Sequence, residues 1–260
     1  MSEAYINVTH ANGGDVSVTD WYNVEAGDES VQGLGSTGWS FQFTTSFTGI
    51  PGGEGTTDGG TGDAAWVAPG ALLQSARGGA VGQWTDLDDS KTYTVYGISS
   101  YTIGGRSSSW TVNGGGTPQI TNDVVGGNPN TTESAVFTEV SPSSGVITIE
   151  VENEAGSGDS YVAAMGIAEN AGPSVTLDNA TLTPGSTISG SYANFAGVPT
   201  SPLVLTDSGS NTLNVTVTIT DNGDGTGTFT GTMPTLPAQG ASAAGLLFGS
   251  VNAELTDPGA

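Results

Sequence analysis

Aromatic and cationic side chains at the edges of predicted loops are the residues of this sequence best suited to contact a ligand. Trp21, Trp66, Trp84 and Tyr101 lie where strand-like runs give way to loops, and an exposed ring can stack on the C–H face of a sugar. Arg106, in IGGRSSS, could add a bidentate contact to a sugar diol or carboxylate, or could instead brace its loop against an acidic neighbour. A buried ring contributes at most about 1.5–3 kcal/mol, so one or two contacts give affinities near the millimolar range.

Catalytic chemistry finds little support in the residue types. The sequence has no cysteine and one histidine, His10, so a Ser-His-Asp triad would have to use that single residue near a terminus. Paired carboxylates about 5–9.5 Å apart could hydrolyse a glycoside, and 26 acidic residues make accidental pairs easy. A catalytic acid also needs an apolar pocket that raises its pKa, and the sequence shows no such pocket. We therefore predict that the protein is not an enzyme.

An acidic turn raises the question of calcium, whose usual ligands are carboxylate and carbonyl oxygens. The segment DNGDG, Asp221 to Gly225, lacks the D-x-[DN]-x-[DN]-G spacing and the late glutamate of a calcium loop. It predicts a hairpin turn instead, and no cofactor is expected from it.

The charge balance excludes several classes of partner. Three basic residues face 26 acidic ones, for a net charge of -23. Such a surface repels nucleic acid, since binding to phosphate depends on Lys and Arg, and it repels anionic membranes as well. No run approaches the roughly 18 apolar residues of a membrane-spanning helix, and the N-terminal MSEAYINVTH lacks the basic and apolar regions of a secretory signal. We expect neither membrane insertion nor a secretory leader.

Alternation of apolar and polar residues predicts β-strands throughout the chain. In GVITIEVEN every second residue from Ile147 to Val151 is apolar, and in KTYTVYGI Tyr96 points away from Tyr93 and Val95. No segment of ten or more residues keeps a helical period, so the predicted class is all-β. The bulky aromatic residues that this pattern places in the core are Trp39, Phe41 and Trp110.

Glycine and proline mark a boundary between two predicted domains, residues 1–171 and 172–260. Gly172 and Pro173 separate the apolar run SYVAAMGIAE from a fresh series of strands, as in a short linker. In the second domain, the alternating residues from Leu213 to Ile219 predict one strand of a hairpin. Its partner strand follows the DNGDG turn and carries Phe229, and both strands bury one face.

The first 171 residues resemble the galactose-binding-like jelly-roll domains found beside secreted glycan-active enzymes and on bacterial surfaces. The segments that carry this resemblance are DWYNVEAGD, STGWSFQFTTSF, WTDLDDSKTYTVYGIS, SSWTVNGG and FTEVSPSSGVITIEVEN. The resemblance implies a jelly-roll β-sandwich in which Leu87 lies beneath the sheet and Lys91 sits on the rim beside the preceding aspartates. Such domains often hold a structural calcium between loops, for which Asp20, Glu25 and Asp28 are candidates by position.

Residues 172–260 resemble a bacterial immunoglobulin-like β-sandwich, a family of spacers and surface modules. The resemblance rests on PSVTLDNATLTPGSTISGSY, LNVTVTITDNGDGTGTFTGTM and GLLFGSVNAELTD. Together, the two resemblances imply an exterior module on a chain without a visible secretion signal. This arrangement is common on virus particles, which leave the cell by lysis.

We therefore expect a non-enzymatic structural protein of the virion surface: a capsid decoration, a head fibre or a tail-associated adhesin of a tailed virus. Its expected partners are other virion proteins and further copies of itself, with weak multivalent binding of a cell-surface glycan through the aromatic residues named above. The alternative is an extracellular pair of carbohydrate-binding modules from a secreted polysaccharide-active or adhesive bacterial protein.

Overall fold

The computed structural model describes residues 2–9, 21–25, 32–45, 59–68, 76–77, 79–102, 105–154, 161–178, 181–235 and 251–258. The regular elements among these residues are strands, apart from short 3-10 turns at Gly35–Thr37 and Gly62–Ala64. The predicted all-β class is confirmed. The contacts divide the chain into two compact units, unit 1 (Met1–Asn170) and unit 2 (Ala171–Ala260).

Unit 1 is a sandwich of two mainly antiparallel sheets. Its described strands are β1 (Glu3–Thr9), β2 (Tyr22–Glu25), β3 (Gln32–Gly33), β4 (Ser40–Thr45), β5 (Ala76–Arg77), β6 (Ala80–Thr85), β7 (Tyr93–Ile98), β8 (Ser107–Val112), β9 (Gly115–Asn122), β10 (Val124–Val125), β11 (Asn128–Pro129), β12 (Ala135–Val140), β13 (Ile147–Asn153), β14 (Tyr161–Val162) and β15 (Ala164–Glu169). One sheet has the order β12-β7-β15-β1-β2, and the other has the order β3-β4-β6-β13-β8-β9. Strands β1 and β2 run parallel. Two short ladders, β10-β11 and β5-β14, complete the described strands of unit 1.

The core of unit 1 lies between the two sheets and is filled by every second side chain. Ile147, Ile149 and Val151 of β13 are buried, as their alternation predicts. The predicted core aromatics Trp39, Phe41 and Trp110 are buried too, and so is Leu87. The pleat of a strand sends successive side chains to opposite faces, so these positions could be assigned from the sequence.

Unit 2 is a smaller β-sandwich with its own core. Its described strands are β16 (Ser174–Leu177), β17 (Thr187–Ala193), β18 (Thr200–Asp207), β19 (Thr212–Val215), β20 (Val217–Asp221), β21 (Gly227–Thr232) and β22 (Val251–Thr256). The sheet orders are β16-β17-β21-β20 and β19-β18-β22. Buried residues from both sheets, among them Ile188, Leu203, Leu205 and Phe229, pack into one cluster.

The run from Leu213 to Ile219 differs from its prediction. It is not one strand, because β19 pairs with β18 while β20 pairs with β21 in the other sheet. The chain changes sheets at Thr216, yet Val215 and Val217 are both buried, since the core lies between the sheets and accepts side chains from either one. The predicted DNGDG hairpin turn is confirmed: Asn222 and Thr226 close it by a backbone hydrogen bond of 3.0 Å.

Alkaline pH is expected to destabilise unit 2 through Tyr192. This residue is buried, and its hydroxyl donates to Oδ1 of Asp221 over 2.8 Å. Burial, together with this hydrogen bond, raises the pKa of Tyr192 to about 12. The unfolded chain loses the tyrosine proton near pH 10, so the folded state binds more protons between these values. The stabilisation is complete below about pH 10 and is lost as the pH rises towards about 12.

Melting temperatures of the full chain and of Tyr192→Phe, taken from about pH 9 upwards, measure this contribution. The variant lacks the titrating hydroxyl and should show a shallower alkaline decline of the unit 2 transition. Identical declines in the two proteins would contradict the assignment.

Candidate functional site

Four aromatic side chains meet on the outer face of the five-stranded sheet, and we call them the ring group: Tyr5, Trp21, Trp66 and Tyr96. Tyr5 belongs to β1 and Tyr96 to β7, on either side of Gly166 in the intervening strand β15. Trp66 follows the 3-10 turn Gly62–Ala64, and Trp21 precedes β2. All four are half-buried, so each keeps a part of its surface open to solvent.

The rings of Tyr5, Trp21 and Trp66 are nearly parallel. The planes of the two indoles differ by 3°, and the Tyr5 plane differs from them by 22° and 20°. The three centroid separations are 5.2, 5.8 and 5.9 Å. Three nearly equidistant centroids cannot lie on one stacking axis. The three rings are therefore nearly parallel but offset from one another, and they do not form a single column. Tyr96 adjoins Trp66 at 5.3 Å, tilted by 33°.

Gly166 provides the space on which the ring group rests. A Cβ atom at this position would lie 2.6 Å from Cδ1 of Tyr5 and 3.4 Å from Cδ2 of Tyr96. Contact at 2.6 Å is repulsive, so the Tyr5 ring can lie against the sheet only because residue 166 has no side chain.

Trp66 is held in place by hydrogen bonds and by a small core of its own. Its Nε1 donates to Oγ of Ser134 over 3.2 Å, and that hydroxyl donates to the carbonyl of Asp63. Trp21 and Trp66 pack against a cluster of Ala64, Val67, Ile98, Ala163 and Ala164. The ring group therefore also holds the segment 59–68 against the sheet, and these contacts fix the orientation of the Trp66 indole.

The tyrosines of the ring group are uncharged at neutral pH. The Tyr5 hydroxyl donates to Oε2 of Glu3 over 3.0 Å. Burial, and secondarily the carboxylate of Glu3, raises the pKa of Tyr5 well above its ordinary value. Burial and then the charge of Glu3 raise the pKa of Tyr96 as well. Both hydroxyls therefore remain hydrogen-bond donors at any physiological pH.

Tyr101 and Arg106 form a second cluster with Tyr161, a residue that the sequence did not single out. The two tyrosine rings stack with centroids 4.4 Å apart, and the Arg106 guanidinium lies 5.6 and 5.2 Å from their centroids. Arg106 also donates from a guanidinium nitrogen to the Tyr161 hydroxyl. The guanidinium of Arg106 is thus engaged by contacts within the protein. This resembles the alternative in which Arg106 braces its loop, except that its neighbours are tyrosine rings and not an acidic side chain.

Trp84 is not at a loop edge, and the prediction that its ring is exposed is wrong. Strand β6 continues through Thr85, and its alternation turns Trp84 into the core, where it is 0% exposed. Its ring packs against Phe41 with centroids 4.7 Å apart. A ring without solvent exposure cannot stack on a sugar, so Trp84 serves the core of unit 1.

Lys91 lies on the rim as expected, but its partner differs from the expected one. Its Nζ lies 2.8 Å from Oε1 of Glu169, not against the neighbouring aspartates. Asp88 instead accepts hydrogen bonds from Ser90, and Asp89 accepts one from the backbone N–H of Gly145. The two aspartates therefore accept hydrogen bonds that close turns of the backbone, while Glu169 takes the ion pair with Lys91.

The calcium candidates cannot be assembled from the described residues. Asp20 and Asp28 lie outside them, as does His10, and the side chain of Glu25 is not described. Within the described ranges, no three His, Cys, Asp or Glu side chains are grouped so as to hold a metal ion. No helix among these residues has the length and apolar character needed to cross a membrane.

The structure thus brings together Trp21 and Trp66, places Tyr101 with Arg106, and moves Trp84 to the core. The sequence reading missed Tyr5 and Tyr96 as site residues. A signal for Tyr96 was present, because its alternation with Tyr93 and Val95 directed it to the outer face. Which strand would lie beside it was not readable.

No protein-family model matches the chain, and no curated protein is significantly similar to it. Functional inference therefore rests on the residues themselves.

Proposed function

We propose that the protein is a non-catalytic surface module whose unit 1 binds glycan through the ring group. The observation that carries this proposal is the offset, nearly parallel arrangement of the rings of Tyr5, Trp21 and Trp66, whose planes lie within 22° of one another. Nearly parallel, half-exposed rings at a protein surface offer flat faces that complement the flat C–H faces of pyranose sugars. The tyrosine hydroxyls and the Glu3 carboxylate supply polar partners for sugar hydroxyls at the rim.

Affinity for a single site is expected to be weak. Each ring that a sugar covers contributes about 1.5–3 kcal/mol at most, and part of this is offset by the entropy lost on association. Individual sites would then bind with dissociation constants near the millimolar range. Display of many copies on one particle raises the effective affinity without new contacts.

The setting that we propose is the exterior of a virus particle, as a capsid decoration, head fibre or tail-associated adhesin. The net charge of -23 supports this setting, because it suits a surface that faces away from packaged nucleic acid. The partners would be other virion proteins and further copies of the chain. The proposed folds are a galactose-binding-like jelly roll for unit 1 and an immunoglobulin-like sandwich for unit 2. Peptide mapping of purified particles tests the setting, and absence of the chain would contradict it without affecting glycan binding.

Replacing Trp66 by alanine is expected to reduce glycan binding about tenfold or more, because it removes one ring and the support of the three others. Many copies of the full-length protein on fluorescent beads can be measured on a glycan array. Ile120→Ala is a matched control, since Ile120 is an apolar residue of the same unit, 44% exposed, on the other sheet. It should bind as the unmodified protein does.

Gly166→Ala gives a second, independent variant. It leaves every aromatic residue in the chain but displaces the Tyr5 ring, so binding should fall here too. Melting curves show what fraction of each variant is folded at the temperature of the binding measurement. Unchanged binding by folded Trp66→Ala and Gly166→Ala would overturn the proposed site, and absence of binding by the unmodified protein would overturn the function.

A further inference from the structure

We infer that the ligand of the ring group is an uncharged saccharide and that Glu3 excludes acidic ones. This inference rests on the proposed glycan binding and adds the chemical class of the ligand. It follows from the charge beside the rings and from the contacts of the two cationic side chains that the structure describes.

The two cationic side chains that the structure describes are both engaged away from the rings. Lys91 is paired with Glu169, with Nζ and Oε1 2.8 Å apart. Arg106 lies over Tyr101 and Tyr161 and donates to the Tyr161 hydroxyl. Neither contacts the ring group within the described ranges. Recognition of a sugar carboxylate or sulfate ordinarily relies on a guanidinium or ammonium group, and no described side chain supplies one here.

One carboxylate, in contrast, lies beside the tyrosines of the ring group. Glu3 is exposed and accepts the hydrogen bond of the Tyr5 hydroxyl, and its charge also acts on Tyr96. A ligand lying on the rings would therefore have the Glu3 carboxylate close to it, beside the tyrosines.

Electrostatics then separates two classes of saccharide. A carboxylate or sulfate within about 8–10 Å of Glu3 lies within one screening length of that charge and is therefore repelled by it. The net charge of -23 adds to this repulsion. An uncharged sugar meets no such repulsion, and its hydroxyls can donate to the carboxylate oxygens. Stacking on the rings is the same for both classes, so charge decides between them.

An array of neutral glycans printed beside their carboxylated and sulfated counterparts tests the inference, with the full-length protein on fluorescent beads. The neutral member of each bound pair should give the stronger signal, and added salt should raise binding of the acidic member while leaving the neutral one unchanged. Glu3→Gln keeps an acceptor for the Tyr5 hydroxyl and removes the charge. It should raise binding of the acidic member about two- to fivefold.

Glu152→Gln is the matched control, because it removes an exposed carboxylate from β13 in the opposite sheet. An equal effect of both substitutions would show that net charge acts without Glu3 and would overturn its role. Equal or stronger binding of acidic glycans would overturn the ligand class while the proposed function stood. If no glycan of either class binds, the proposed function fails and this inference fails with it.

Discussion

Replacing Gly97 by alanine is expected to lower the free energy of unfolding of unit 1 by about 3 kcal/mol or more. Gly97 is a buried residue of β7, and Trp110 of β8 lies against it from the opposite sheet. A Cβ atom at residue 97 would overlap Cε3 and Cζ3 of the indole and would lie 2.9 Å from its Cδ2. Glycine is required here because the two sheets make contact through a ring that lies on bare backbone.

The indole of Trp110 has no easy way to withdraw. It is 0% exposed, and its Nε1 donates to Oγ1 of Thr121 over 2.8 Å, so a shift breaks a buried hydrogen bond. Cores packed to crystalline density transmit such a displacement to the neighbouring side chains. The cost is therefore expected at the upper end of the range for overpacked sites.

Denaturation followed by tryptophan fluorescence measures this effect in unit 1 alone, because all five tryptophans lie at or before residue 110. Gly115→Ala is the matched control: a Cβ atom there meets nothing within 4 Å, and its free energy of unfolding should change by less than about 0.5 kcal/mol. Adding Trp110→Phe to Gly97→Ala should cost less than the sum of the single changes. A fully stable Gly97→Ala protein would contradict the packing described here.

Replacing Asn130 by alanine is expected to cost about 3 kcal/mol, because its fully buried side chain binds the backbone of three residues. Nδ2 donates to the carbonyls of Ser99 and Glu133 over 2.9 and 2.8 Å. Oδ1 accepts from the backbone N–H groups of Thr132 and Glu133 over 3.0 and 2.9 Å. Alanine leaves these groups without their partner in a place where unpaired polar groups cost about 1–3 kcal/mol each.

The same substitution is expected to loosen the second aromatic cluster and to spare the ring group. Nδ2 of Asn130 holds the carbonyl of Ser99, two residues before Tyr101, so the side chain positions the segment that carries Tyr101. Asn128→Ala, at an exposed position in the same hairpin, is the matched control and should be nearly neutral. Glycan binding by the folded fraction should persist. A change in stability no larger than that of Asn128→Ala would contradict the assigned role.

The candidate site shows both a success and an error of the sequence reasoning. Trp66 and Trp84 are the same residue type, and both precede predicted loops, so the sequence assigned them one role. The alternation in β6 contained the correction for Trp84, since Ala80, Gly82 and Trp84 share the buried face of a strand that extends to Thr85. The error lay in the predicted end of the strand, which placed Trp84 at a loop edge although it lies within β6 and in the core.

Side-chain direction along a strand is a local property, and the sequence by itself determined it. Period two is imposed by the pleat of each strand, so the all-β class, the buried residues of β13 and the outward direction of Tyr96 could be read without coordinates. Composition likewise determined the acidic charge and the absence of cysteine chemistry. These properties depend on a residue and its immediate neighbours.

Only the tertiary structure decided which outward side chains meet. The ring group comes from residues 5, 21, 66 and 96, and its tyrosines become neighbours because β15 lies between β1 and β7 with Gly166 in register. Lateral order in a sheet is set by the packing of the whole sandwich, and strands far apart in sequence carry no local mark of their partners. For the same reason the contact of Gly97 with Trp110 across the two sheets could not be read from either segment alone.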